Sequence, residues 1–162
     1  MFWNNDDDFD EASFNDEQAN SEAQREIRLE HDRIRKLPVM RMARQIYETV
    51  RAIVETFPED DDLVAHYREI MLTDAASLAS KISAAEAGDL YTLRMENAVL
   101  IKVAARNLLT QTSGLKMLGI TEPHYLQVLR DEIEAFRLVF LEWVKGFDRT
   151  RDIRDDWGLF YH

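Results

Sequence analysis

Apolar residues along this chain recur at intervals of three and four rather than alternating, a spacing that predicts helices and not strands. Val39, Ala43, Ile46, Val50, Ile53 and Phe57 form a heptad-like seam, widened by Met42, Tyr47 and Val54. Pro38 suits the first turn of that helix, and Pro58 with the acids of 59–62 ends it near Phe57. The same acids fall in the first turn of the next helix, where the dipole favours negative charge. This helix runs from about Asp61 to Ala87 on the seam Leu63, Tyr67, Met71, Leu78, Ile82 and Ala85, with a second half rich in Ala and Ser. Gly88 then reads as a helix stop and Asp89 as the next N-cap, a link short enough to make an antiparallel hairpin.

The stretch 90–114 has no proline and no internal glycine. Leu90, Leu93, Ile101, Ala104 and Leu108 lie on one seam, with Tyr91, Ala98, Ala105 and Leu109 beside it. A helix apolar over most of its circumference is covered on several sides. It is expected to end at Ser113-Gly114. Thr121 is then the expected N-cap of a last helix, whose heptad is Leu126, Leu129, Ile133, Phe136, Phe140, Trp143 and Phe147. The fold class predicted is all-α: an up-down-up-down four-helix bundle with an additional N-terminal helical segment and acidic-aromatic tails. Residues 1–20 are expected to be a disordered acidic tail, 21–148 the bundle domain with Ser21 as a candidate N-cap, and 149–162 a C-terminal aromatic tail.

Charge changes this picture at the ends. Of the net −11 carried by 162 residues, −8 lies in 1–22, which contain no Lys or Arg, so the body is near neutral. Phe2, Trp3, Phe9 and Phe14 are interleaved with those acids, and Trp157, Phe160 and Tyr161 cluster at the other end. Two readings stay open for each tail: a solvated end, or a peptide that docks on a protein partner or a sibling subunit through its aromatics. From 23 to 51, eight basic residues face four acidic ones. Arg28, Arg33, Arg35, Lys36, Arg41 and Arg44 are therefore candidate nucleic-acid contacts, although no aromatic platform accompanies them. Asn97 and Gln111 interrupt the apolar seam of the third helix, and Asp74 lies close to that of the second. Amides so placed are either hydrogen-bonded core positions or a polar layer at a subunit interface.

Catalytic chemistry finds no foothold. A carboxylate di-metal site in a bundle uses paired Glu-x-x-His motifs, and none of His31, His66, His124 and His162 follows a Glu at the third position. There is no cysteine, no phosphate-binding glycine loop and no nucleophile elbow. No enzyme activity, metal or cofactor is expected. No window reaches ~18 uninterrupted apolar residues, so no membrane span is predicted. The acidic start lacks the basic and apolar regions of a signal peptide, so a soluble cytoplasmic protein is expected.

Leu37-Pro38-Val39, Ala43, Ile46-Tyr47, Phe57-Pro58 and the run Ala76-Ser77-Leu78-Ala79-Ser80-Lys81-Ile82-Ser83-Ala84-Ala85-Glu86 resemble a known family. The chain is similar over 37–147 to the four-helix-bundle proteins encoded in 23S ribosomal RNA intervening sequences. The relatives of these proteins include the accessory variability determinant of diversity-generating retroelements. The resemblance implies a non-enzymatic bundle that assembles into rings, with relatives that bind a reverse transcriptase and nucleic acid through basic surfaces. The chain departs from the family pattern at Arg68-Glu69-Ile70-Met71-Leu72-Thr73-Asp74, where the family is Arg-rich and this chain has one Arg and two acids, and at Lys81, where the family has Asn. The expected function is an oligomeric scaffold or adaptor, as a ring or dimer, acting through protein–protein interaction. The alternative is a nucleic-acid-binding accessory protein.

Overall fold

The computed structural model describes residues 7–59 and 61–160, and for 7–17 the backbone alone. Among the described residues there are five helices and no strand: α1 (Asp7–Lys36), α2 (Pro38–Glu55), α3 (Asp62–Glu86), α4 (Tyr91–Leu118) and α5 (Pro123–Lys145). The chain divides into two units, Met1–Lys36 and Leu37–His162.

In the first unit, α1 begins well before Ser21, and most of 7–20, expected to be disordered, lies within it. The segment has no apolar period, but it also has no Gly or Pro to stop a helix. Arg33, Arg35 and Lys36 occupy the last turn, where cations are favoured. Ile27 is exposed.

In the second unit α2 packs against α3 and α5, and α4 packs against the same two, the α3–α4 pairing being the most extensive. All six predicted seam residues of α2 are buried, as are Leu126, Leu129, Ile133 and Phe136 of α5. Pro38 and Pro123 open their helices, and the Asp61 carboxylate accepts a hydrogen bond from Leu63 N at 2.8 Å. Leu63 and Leu93 turn outward, and Val64 and Ala75 share the buried side of α3 with Met71, Leu78, Ile82 and Ala85.

The structure corrects two cap assignments at the α4 and α5 starts. Asp89 accepts a hydrogen bond from Arg151 instead of capping α4, and Leu90 holds the N-cap position with no capping side chain. Thr121 pairs its hydroxyl with that of Thr56 at 2.6 Å, and Glu122 precedes Pro123.

The predicted end of the third helix is also corrected, because α4 runs straight through Gly114 to Leu118. Its stop is Gly119, at φ 65°, where Ile120 N donates to Leu115 O at 3.2 Å in a left-handed cap. Gly114 serves packing instead. A Cβ there would run into the Tyr67 hydroxyl on α3 and stand 3.1 Å from the ring carbon that bears it. Gly114→Ala is therefore expected to cost about 1–3 kcal/mol through overpacking. In a Tyr67→Phe background, which removes the closest atom, the same change should be near neutral, because Ala gains ~1 kcal/mol over Gly inside a helix. Urea unfolding of the four proteins in that cycle measures the coupling.

Candidate interaction surface

α4 uses its two sides differently. Ala98, Ile101, Ala104, Leu108 and Leu115 are buried, while Leu93 (54% exposed), Val99, Leu100 and Val103 face solvent. Val99, Leu100 and Val103 adjoin within one turn, and Leu93 lies two turns before Leu100 with Glu96 and Asn97 in the turn between. Isolated surface leucines need no explanation, but adjoining exposed apolar residues on one side of a helix form a candidate contact surface.

The polar residues on α4 hold the chain's own helices. Gln111 Nε2 donates to Asp74 Oδ2 at 2.6 Å and Asn107 Nδ2 to Asp74 Oδ1 at 3.4 Å, which ties α4 to α3. Arg130 Nη1 donates to Leu109 O at 3.1 Å and to Thr112 Oγ1 at 2.8 Å, which ties α5 to α4. Asn97, half-buried, bonds back to Leu93 O at 2.9 Å. Of the two amides expected to form a polar layer, Gln111 thus meets a partner within the chain and Asn97 meets its own helix.

A second polar cluster joins the chain's C-terminal segment to the start of α4. Glu86 Oε1 accepts from Arg94 Nη2 at 2.5 Å and from Trp143 Nε1 at 2.8 Å. The Arg94 guanidinium lies 4.0 Å over the Phe147 ring. Beyond Phe147 the chain returns to α4, where Tyr91 N donates to Arg151 O at 2.8 Å. Thr92 N and Oγ1 donate to the Asp152 carboxylate at 3.1 and 2.8 Å. The free N–H groups at the start of α4 are thus capped from sixty residues away. The sequence reading missed this role of Asp152, because Asp89 stood in the sequence as a capping residue for the same helix.

The aromatics of the C-terminal segment are presented outward. Asp155 Oδ1 accepts from Trp157 N at 3.1 Å and Gly158 N at 3.0 Å, and Gly158 takes φ 60°. This turn leaves Trp157 82% exposed, with Ile153 and Leu159 also exposed and Phe160 half-buried. Phe2, Trp3 and Tyr161 lie outside the described residues, and Phe9 is placed only by the α1 backbone.

A groove of about 280 Å3 runs between α4 and α5, floored by Ile101, Ala105, Leu109, Phe136 and Phe140. Lys102 and Arg106 stand on its rim with no salt-bridge partner among the described residues, while Arg137 is paired with Glu134 at 2.6 Å. That pairing holds the Glu134 carboxyl below its usual range.

The candidate nucleic-acid contacts divide between the two units. Arg28, Arg33, Arg35 and Lys36 are exposed on α1, and Arg41 and Arg44 are exposed on α2. Arg33 is engaged by Glu30 at 2.5 Å, which lowers the Glu30 pKa, whereas Arg41 and Arg44 have no salt-bridge partner among the described residues. Among the described residues no group of three or more His, Asp or Glu side chains is arranged to hold a metal. None of their helices is long and apolar enough to cross a membrane. No protein-family model, curated protein or solved structure matches the chain.

Removing the Asp152 carboxylate tests the cap. Asp152→Ala is expected to cost about 1 kcal/mol, the usual value of a lost N-cap. Because the same contact ties down the C-terminal segment, the variant should also be cut faster by protease within 149–160. Unfolding midpoints and the mass of the limited-proteolysis fragments measure the two effects.

Proposed function

We propose that this chain is a non-enzymatic scaffold or adaptor protein that assembles with copies of itself, as a ring or dimer, and acts through protein–protein contacts. Its second unit is read as an up-down-up-down four-helix bundle, with α1 as the additional N-terminal segment. The short link between α3 and α4 and the four mutual helix pairings support this. The resemblance to the bundle proteins of ribosomal RNA intervening sequences supports the same reading, and the acidic start and absence of cysteine support a cytoplasmic setting.

The observation that carries the proposal is the outward stripe Leu93, Val99, Leu100 and Val103 on α4. α4 has neighbours on its buried side, and this stripe is apolar where a solvated helix would be charged. Association of copies through it removes apolar area from water without disturbing the polar ties to α3 and α5. The exposed aromatics at Trp157 and its neighbours supply further anchors for a protein partner.

A second reading is supported by Arg41 and Arg44, which stand one turn apart on α2 with no salt-bridge partner among the described residues. An RNA or DNA backbone, in the company of a reverse transcriptase or alone, would satisfy them.

Light scattering at micromolar concentration is expected to give a multiple of the 19.0 kDa chain mass. Leu100→Glu with Val103→Glu should reduce it to the monomer with unchanged helical circular dichroism, since both side chains are exposed in the chain. A wild-type monomer would sink the assembly reading. Filter binding decides the second reading: retention of RNA or DNA that falls steeply with salt and is lost in Arg41→Glu with Arg44→Glu supports it, and absent or salt-independent retention removes it.

A further inference from the structure

We propose that the C-terminal segment 153–159 of one copy docks in the α4–α5 groove of a second copy, with Trp157 on the apolar floor. Asp155 and Asp156 then face Lys102 and Arg106. This rests on the assembly reading above and names the contact that would make it.

Three features of the groove match that occupant. Its floor is made of Ile101, Ala105, Leu109, Phe136 and Phe140, a surface for an aromatic side chain. Its volume of about 280 Å3 falls just under the ~300–1,000 Å3 typical of small-molecule sites, a size suited to one large side chain. Its rim carries Lys102 and Arg106, which have no salt-bridge partner among the described residues, and the segment brings two adjacent carboxylates beside its Trp.

The segment is itself prepared for docking. The ties of Arg151 and Asp152 to the start of α4 fix where it leaves the body, and the Asp155 turn then sets the backbone of Trp157 and Gly158. A peptide held in its bound shape loses less conformational freedom on binding. The same turn leaves Trp157 in solvent and not over the chain's own groove.

The groove is also continuous with the outward stripe. Arg106 on the rim and Val103 on the stripe are one turn apart on α4, so a second copy seated over one is brought against the other. Tail into groove is a heterologous contact. It generates a ring where the rotation closes.

Sedimentation velocity on the full chain, over a range of concentrations, tests this with three proteins. Trp157→Ala removes the anchor, and Lys102→Glu with Arg106→Glu reverses the rim using only exposed positions. Each variant is expected to weaken self-association at least tenfold with unchanged circular dichroism. An equimolar mixture of the two is expected to recover a 1:1 dimer, because an intact tail from one then meets an intact groove on the other. Wild-type assembly by Trp157→Ala, or no recovery on mixing, overturns the docking. So does loss of Trp157 exposure in a wild type that sediments as the monomer, read as the fluorescence difference from Trp157→Ala, since the segment would then occupy its own groove. If Leu100→Glu with Val103→Glu dissociates while Trp157→Ala does not, the assembly reading survives and only this contact fails.

Discussion

The Glu86 carboxylate, with only 7% of its side chain exposed, is the constraint on which one end of this molecule depends. A carboxylate taken that far out of water must be paired and hydrogen-bonded. Arg94 supplies the charge from α4 and Trp143 supplies an indole N–H from α5, so one group at the end of α3 fixes three helices. The consequences continue outward. Arg94, once drawn to Glu86, presents its flat face to Phe147 and so fixes the exit from α5. From that exit the chain reaches the start of α4, where Arg151 O and Asp152 close the N–H groups that Leu90 leaves open.

The two polar ties further along α4 work in the same direction. Asp74 with Gln111, and Arg130 with Thr112, join α4 to its neighbours on both sides. Apolar packing alone is tolerant of small slips along a helix, whereas a buried acceptor has few positions that satisfy it. The register of α4 is thus set from inside, by groups that are costly to leave unpaired. Its outward residues are free of that task. Leu93, Val99, Leu100 and Val103 are exposed and take no part in these ties.

How much of this was legible in the sequence depended on whether one helix sufficed to decide. The seams of α2 and α5 were, because each helix shows one apolar side and their residues are buried as the spacing predicts, save the half-buried Phe140 and Trp143. α4 was legible as a helix but not in its extent. Gly114 looks like a stop, and only the Tyr67 hydroxyl across from it shows why a glycine sits in mid-helix. Leu93 was assigned to the buried seam because a helix apolar on several sides does not say which side has no neighbour. α1 was underestimated for the opposite reason: its first half has no apolar period and is rich in Asp, Asn and Ser, which are weak helix formers. The Trp157 aromatics were legible as anchors, but the Asp155 turn that presents them and the groove between α4 and α5 were not. Those arise from residues brought together by the fold.

Charge placement decides whether such a chain can meet its own copies. A uniform −11 would oppose association, yet −8 of it is confined to residues 1–22. The remaining −3 is spread over a body whose groove rim is locally cationic and whose C-terminal segment is locally anionic at Asp155 and Asp156. Between two copies, long-range repulsion then arises mainly from the N-terminal ends, and the ~8 Å screening length of physiological salt weakens it. In the docking proposed above, contacts between copies are governed instead by the local pairing of unlike charges around an apolar surface. An arrangement of this kind favours a defined geometry of association over nonspecific clustering, because turning one copy by any large angle sets cation against cation or leaves the aromatic anchor in water.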